Sequence, residues 1–140
     1  VVAAGNNGPR TMSITTPGIS RKVITVGCSD DDREVLVGGN RMVDYSGRGP
    51  TAACICKPDL VAPGCSVVSC SSRADKYTIK SGTSMSTPIV SGAVALLLER
   101  FPDMTNKDVK LRLRESSVDI GLPRNQQGWG LLDVGKMLER

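Results

Sequence analysis

Residues 89–101 constrain this chain most. Ile89, Val90, Ala93, Val94, Ala95, Leu96, Leu97, Leu98 and Phe101 spread apolar side chains almost all the way round a helix. A helix with no polar face belongs inside a protein, so other layers must be wrapped around it. What precedes it reads as short β-type runs broken by turn residues. Val1–Ala4 ends in Gly5-Asn6-Asn7-Gly8-Pro9, and Val23–Val26 is closed by Gly27. Residues 34–45 form a hairpin pattern around Gly38-Gly39-Asn40. Leu60–Ala62 is stopped by Pro63-Gly64, and Ser66–Cys70 and Lys76–Lys80 read as two further strands.

Beyond the apolar helix, Thr105 and Asp108 have capping-box spacing and open a second helix to about Glu115. Lys107, Lys110 and Arg114 share one side of it and read as a solvated face. A last short helix is expected after Gly128-Trp129-Gly130, with Trp129 packing at its start. Strands, then a buried helix, then flanking helices make an α/β layered domain. Too few strands are visible to cover residues 89–101. With Val1 in place of an initiator methionine, the expectation is that residues 1–140 are part of a larger domain whose N-terminal part supplies the rest of the sheet. Alone, the chain is expected to expose apolar surface and self-associate, with strands exchanged between copies.

Composition excludes several functions. The net charge of +4 is small and scattered, which argues against a nucleic-acid partner. No apolar run reaches the roughly 18 residues of a membrane span. With no histidine, every mechanism needing an imidazole from these residues is closed. Cys28, Cys54, Cys56, Cys65 and Cys70 lack the paired knuckles of a zinc ribbon, and read as small buried thiols in strands. Free thiols fit a reducing compartment.

Ser81-Gly82-Thr83-Ser84-Met85-Ser86-Thr87-Pro88 joins a strand to the buried helix and puts Ser84 at the helix start. Backbone N–H groups there lack intrahelical partners, and the positive end of the helix dipole faces whatever lies beside Ser84. An anion forming next to that hydroxyl is stabilised. Gly82 lets a second molecule approach closely, and Pro88 falls near the first turn, where a missing N–H costs little. Taken alone, Ser84 reads equally well as a helix cap. It does not fit the Gly-x-Ser-x-Gly elbow, because residue 86 is serine. In Ala3-Ala4-Gly5-Asn6-Asn7-Gly8-Pro9, Asn6 at a strand end can aim its amide N–H at a developing oxyanion, or serve only as a turn residue.

These stretches, with Thr16-Pro17-Gly18, Tyr45–Pro50, Lys57–Gly64 and Gly128–Val134, stand in the order and spacing of the subtilisin-like serine peptidases. The resemblance covers essentially the whole chain and is nearest to intracellular bacterial members. It implies the C-terminal part of a three-layer α/β catalytic domain, with a mainly parallel sheet and a central helix starting at the nucleophile. It also implies that Ser84 is the nucleophile and that Asn6 and the Ser84 N–H receive the oxyanion. Ala3, Ala4 and Gly5 would form one wall of the substrate pocket, with Asn7 on its rim and Gly82 and Thr83 also in contact with substrate.

The family's aspartate and histidine motifs have no counterpart here, so the chain alone is expected to be inert. The implied partner is a polypeptide bound as an extended strand, with an apolar residue before the cleaved bond. No cofactor is implied. Asp59 in Lys57-Pro58-Asp59 reads as a loop-bonding residue, with no metal, because Lys57 disfavours a cation. Met85 beside the nucleophile is expected to make activity sensitive to peroxide. Lys76 or Lys80 as a replacement base is a weaker idea than a histidine from outside residues 1–140. The thiols and the intracellular resemblance together point to the bacterial cytoplasm. Two other readings stand beside this one: a degenerate subtilisin-like binding or regulatory module, and a sedolisin-type acid peptidase, whose oxyanion position holds aspartate where this chain has Asn6.

Overall fold

The computed structural model describes residues 1–30, 32–72 and 76–139. Its centre is a parallel sheet of three strands in the order β1 (Val2–Ala3), β2 (Thr25–Ser29), β5 (Leu60–Pro63). Val2 pairs with Thr25, and Val26 with Leu60. Leu131 lies parallel to Val61 beyond β5, and Val118 antiparallel to Leu131. Two antiparallel hairpins stand apart from this sheet: β3 (Val35–Val37) with β4 (Asn40–Met42), and β6 (Val67–Cys70) with β7 (Tyr77–Lys80). Gly38 and Gly39 turn the first hairpin with φ of 58° and 83°, a left-handed pair that tight turns favour.

Gly27 does not close its strand. β2 runs through it, because a side chain there would meet Pro58, Ser46 and Val61 at 3.0–3.1 Å. That face of the sheet is covered so closely that any side chain at Gly27 would have to displace its neighbours by a few tenths of an ångström. On the other face lie the helices α1 (Thr83–Arg100), α2 (Asn106–Ser116) and α4 (Val134–Leu138). Val26, Leu60 and Ala62 of the sheet share one core with Val90, Ala93 and Leu97 of α1, Val109 and Leu113 of α2, and Met137 of α4. The expected last helix is two short ones, α3 (Arg124–Gln127) before Gly128 and α4 after Gly130.

α1 departs from expectation in two ways. It starts at Thr83, so Pro88 is its sixth residue and lies inside the helix, where its ring leaves the Ser84 carbonyl without the usual i+4 donor. It is also buried on one side only. Thr83, Ser86, Val90, Ala93 and Leu97, spaced 3-4-3-4, face the sheet, while Ile89, Leu96 and Leu98 are exposed. No described helix is long and apolar enough to cross a membrane.

Four of the five thiols also differ from the sequence reading, Cys28 being the exception. Cys28 in β2 is buried, Cys65 is half-buried, and Cys54, Cys56 and Cys70 are exposed. α2 opens with the expected capping box, in which Asp108 N–H reaches the Thr105 hydroxyl and the Asp108 carboxylate receives Thr105 N–H at 2.8 Å. Lys110 is no solvated residue. Its ammonium donates to the carbonyls of Arg21 and Val23 and stands 3.7 Å from Asp59. Asp59 is the knot of this region: it accepts Thr25 N–H at 2.7 Å and the buried Lys57 ammonium at 2.6 Å. Burial pulls the Lys57 ammonium below its ordinary pKa, against the opposing pull of Asp59.

Candidate active site

The site forms where the β1 end meets the start of α1. Gly82 is the cap residue, at φ 143° and with no side-chain cap bond. A Cβ there would lie 3.3 Å from Asn6 Nδ2, so the glycine lets the Asn6 amide sit against the helix start. Thr83 is fully buried and ties the two segments together. Its N–H and its hydroxyl both donate to Asn6 Oδ1, at 3.0 and 3.1 Å, and its Oγ1 accepts Gly5 N–H at 3.2 Å. Two donors on Oδ1 settle the amide orientation, and Nδ2 is the group left to donate outward.

Ser84 follows as the second residue of α1 and is exposed. It is not the helix cap, which removes the bland reading of that serine. At this position its own N–H has no intrahelical acceptor. Ser86 holds the first turn on the sheet by donating to Ala62 O at 2.8 Å, and Gly82 N–H reaches Gly64 O at 2.9 Å. The Asn6 loop is pinned from the other side. Ala4 O accepts Thr15 N–H, Gly5 O accepts Gly47 N–H at 2.8 Å, and Gly8 N–H reaches Tyr45 O.

The expected pocket residues separate into two groups. Ala3 and Ser84 share a cleft of about 550 Å³ with Pro17 and Pro88. Asn6 and Asn7 line a neighbouring cleft of about 840 Å³ with Arg10 and Met42. Neither cleft has an acidic lining residue. Ala4 and Thr83, expected to face substrate, are both fully buried, and Ala4 N–H is spent on Val26 O. Gly82 is buried as well, and Gly5 is partly so. Thr83 therefore positions Asn6 from beneath. The sequence carried a signal for this: Thr83 heads the 83-86-90-93-97 stripe that faces the core.

Cys28 and Tyr45 lie under the site. Burial pushes the Cys28 thiol up to about 12, and burial together with bonding to two sulfurs raises the Tyr45 phenol. Among the described residues no group of three or more His, Cys, Asp or Glu side chains could hold a metal ion.

The model of the subtilase family matches residues 1–130. The chain belongs to the subtilase family. This subtilase is 41% identical over 129 residues to the serine protease AprX of Bacillus subtilis, an alignment covering 83% of this chain and 29% of AprX. It is 35% identical over 134 residues to halolysin of Haloferax mediterranei, covering 96% of this chain and 23% of halolysin. Its fold matches the CspB protease of Clostridium perfringens with a TM-score of 0.74 at 29% identity, over 91% of this chain and 28% of that one. Fervidolysin from Fervidobacterium pennivorans matches with a TM-score of 0.72 at 25% identity, over 98% and 22%. The subtilase described here thus spans less than a third of each of these relatives.

Proposed function

We propose that residues 1–140 form part of the catalytic domain of a serine endopeptidase and contribute its nucleophile and oxyanion site. The observation that carries this is the Asn6 amide, oriented by two bonds from Thr83 beside a helix start whose second residue is an exposed serine. Ser84 Oγ attacks a peptide carbonyl, the peptide C–N bond breaks, and the amine leaves with the proton taken from Ser84. Water then hydrolyses the resulting acyl-enzyme and restores Ser84. The oxyanion is received by Asn6 Nδ2 and the Ser84 N–H at the positive end of α1. The proton of Ser84 passes to a histidine outside residues 1–140, since this sequence has none. Ala3 and Pro17 border the cleft that takes the side chain before the cleaved bond, and its lack of acid favours an apolar residue there.

For subtilisin itself, loss of one oxyanion donor costs about 10²–10³ in turnover, and loss of the catalytic histidine about 10⁶. Residues 1–140 alone are accordingly inert. The test is fluorophosphonate labelling of the full-length protein, with the label located by mass spectrometry. A label on Ser84, absent in Ser84→Ala and slowed in Asn6→Ala, supports the reading. A folded, unlabelled protein refutes it and favours a binding module, a reading against which the presence of both Ser84 and Asn6 weighs.

A further inference from the structure

Beneath the start of α1, two thiols face each other without a bond. Cys28 Sγ and Cys65 Sγ are 3.9 Å apart, and the Tyr45 hydroxyl stands 3.0 Å from one and 3.1 Å from the other. The sulfurs are 37 residues apart in sequence and meet because β2 and β5 run side by side, with Cys28 opposite Ala62. Cys65 is half-buried and so the accessible member, while Cys28 is buried.

The surroundings make this pair consequential. Cys28 is held firmly, in the middle strand and with its N–H on Ser46 Oγ at 3.0 Å. Cys65 sits on the loop after β5, and both its neighbours grip the segment leading to Ser84. Gly64 O accepts Gly82 N–H at 2.9 Å, and Ser66 N–H donates to Ser81 Oγ at 2.8 Å. There is no slack at Gly64: a Cβ on it would overlap Ser86 Oγ and lie 2.7 Å from Cys28 Sγ.

We propose that Cys28 and Cys65 are a dithiol that closes reversibly into a disulfide and, in closing, displaces the start of α1. The oxidant is a small-molecule disulfide. Cys65 Sγ, as thiolate, attacks one of its sulfurs, which forms a mixed disulfide and releases one thiol. Cys28 Sγ then attacks Cys65 Sγ, the protein disulfide forms, and the second thiol leaves. Two protein thiols are oxidised and one external disulfide is reduced to two thiols. The Cys28 proton passes to the departing thiolate, with Tyr45 in bonding reach of both protein sulfurs. A sulfur–sulfur bond of about 2.05 Å draws the pair together by about 2 Å. Because Cys28 is anchored, the Cys65 loop moves and takes Ser81 and Gly82 with it. A displacement of about 1 Å at a reacting group costs on the order of 10²-fold in rate. The effect on Ser84 rests on the peptidase reading; the bond itself does not.

The experiment uses the full-length protein carrying Cys54→Ser, Cys56→Ser and Cys70→Ser, equilibrated with excess oxidised glutathione. A Cys28–Cys65 linked peptide, about 2 Da lighter than the reduced pair, is expected by mass spectrometry. Labelling of Ser84 should slow about tenfold or more, recover with dithiothreitol, and stay unchanged in a further Cys65→Ser variant. Absence of the linked peptide overturns the proposal. So does a linked peptide that alters neither Ser84 labelling nor hydrogen exchange at the Gly82 amide. If the reduced protein is never labelled, the peptidase reading fails separately. The linked peptide and the Gly82 exchange then decide the dithiol on their own.

Discussion

Thr83→Val is the most informative single change. Valine keeps the buried volume and removes only the hydroxyl. That hydroxyl has two partners: it accepts Gly5 N–H and donates to Asn6 Oδ1. Losing the first leaves a partly buried backbone donor without its acceptor, at about 1–3 kcal/mol. Losing the second costs about 1 kcal/mol, because Asn6 Oδ1 keeps the Thr83 N–H. Together the variant should lose about 2–4 kcal/mol of unfolding free energy, measured by urea denaturation of the full-length protein. Ser84 labelling should slow, because one of the two bonds that aim the Asn6 amide is gone. Thr83→Ser should recover the labelling rate, since the hydroxyl returns and only a methyl is missing. In a double-mutant cycle, Thr83→Val and Asn6→Ala should fall short of additivity by about 1 kcal/mol, the shared bond being counted twice. A Thr83→Val protein with parental stability and parental labelling would show that the relay from Gly5 through Thr83 to Asn6 does not hold the site.

Other expectations can be checked in the same preparations. Lys57→Met should destabilise by about 3–5 kcal/mol, since it strips the buried Asp59 carboxylate of its ammonium, whereas Lys110→Met, further away and partly exposed, should cost clearly less; equal losses would contradict the geometry. Peroxide should slow Ser84 labelling through Met85 sulfoxide, and Met85→Ala should resist; equal loss in both proteins would dismiss Met85 as the cause. The Asp108 carboxyl is held below its ordinary 3.8 by the Thr105 hydroxyl and N–H. Its contribution is therefore complete above pH 3.8 and lost as pH falls through the lower folded value. The stability gap between the parent and Asp108→Asn should narrow in that acid range, and a gap constant with pH would count against the capping box. Residues 1–140 expressed alone should self-associate through the exposed Ile89, Leu96 and Leu98 side of α1. Sedimentation as a compact monomer at high concentration would argue otherwise.

Much of the candidate site is legible in the sequence. Ser84 at a helix start, Asn6 at a strand end and a glycine between strand and helix are local patterns. Their relation is not. The step from Asn6 to Thr83 crosses 77 residues, and only the pairing of β1 with β2, and of α1 with the sheet, brings them together. The same limit hides the buried state of Ala4 and Thr83, which the family resemblance places against substrate. Cys28 is the expected buried strand thiol, whereas the exposure of Cys54, Cys56 and Cys70 is not legible in the sequence, because a thiol packs well in a core or on a loop and composition does not say which.

Sequence by itself determined what depends on a few neighbouring residues. The Gly38-Gly39 turn, the Thr105–Asp108 box and the α/β order of elements are of this kind, since backbone preference and side-chain reach act within about four residues. Tertiary structure alone decided which side of α1 is buried, that Lys110 reaches Asp59, and that Cys28 meets Cys65. Each of these follows from strand register and helix placement. A periodic pattern names the face that should be buried, but the partner that buries it is chosen by packing across the whole chain.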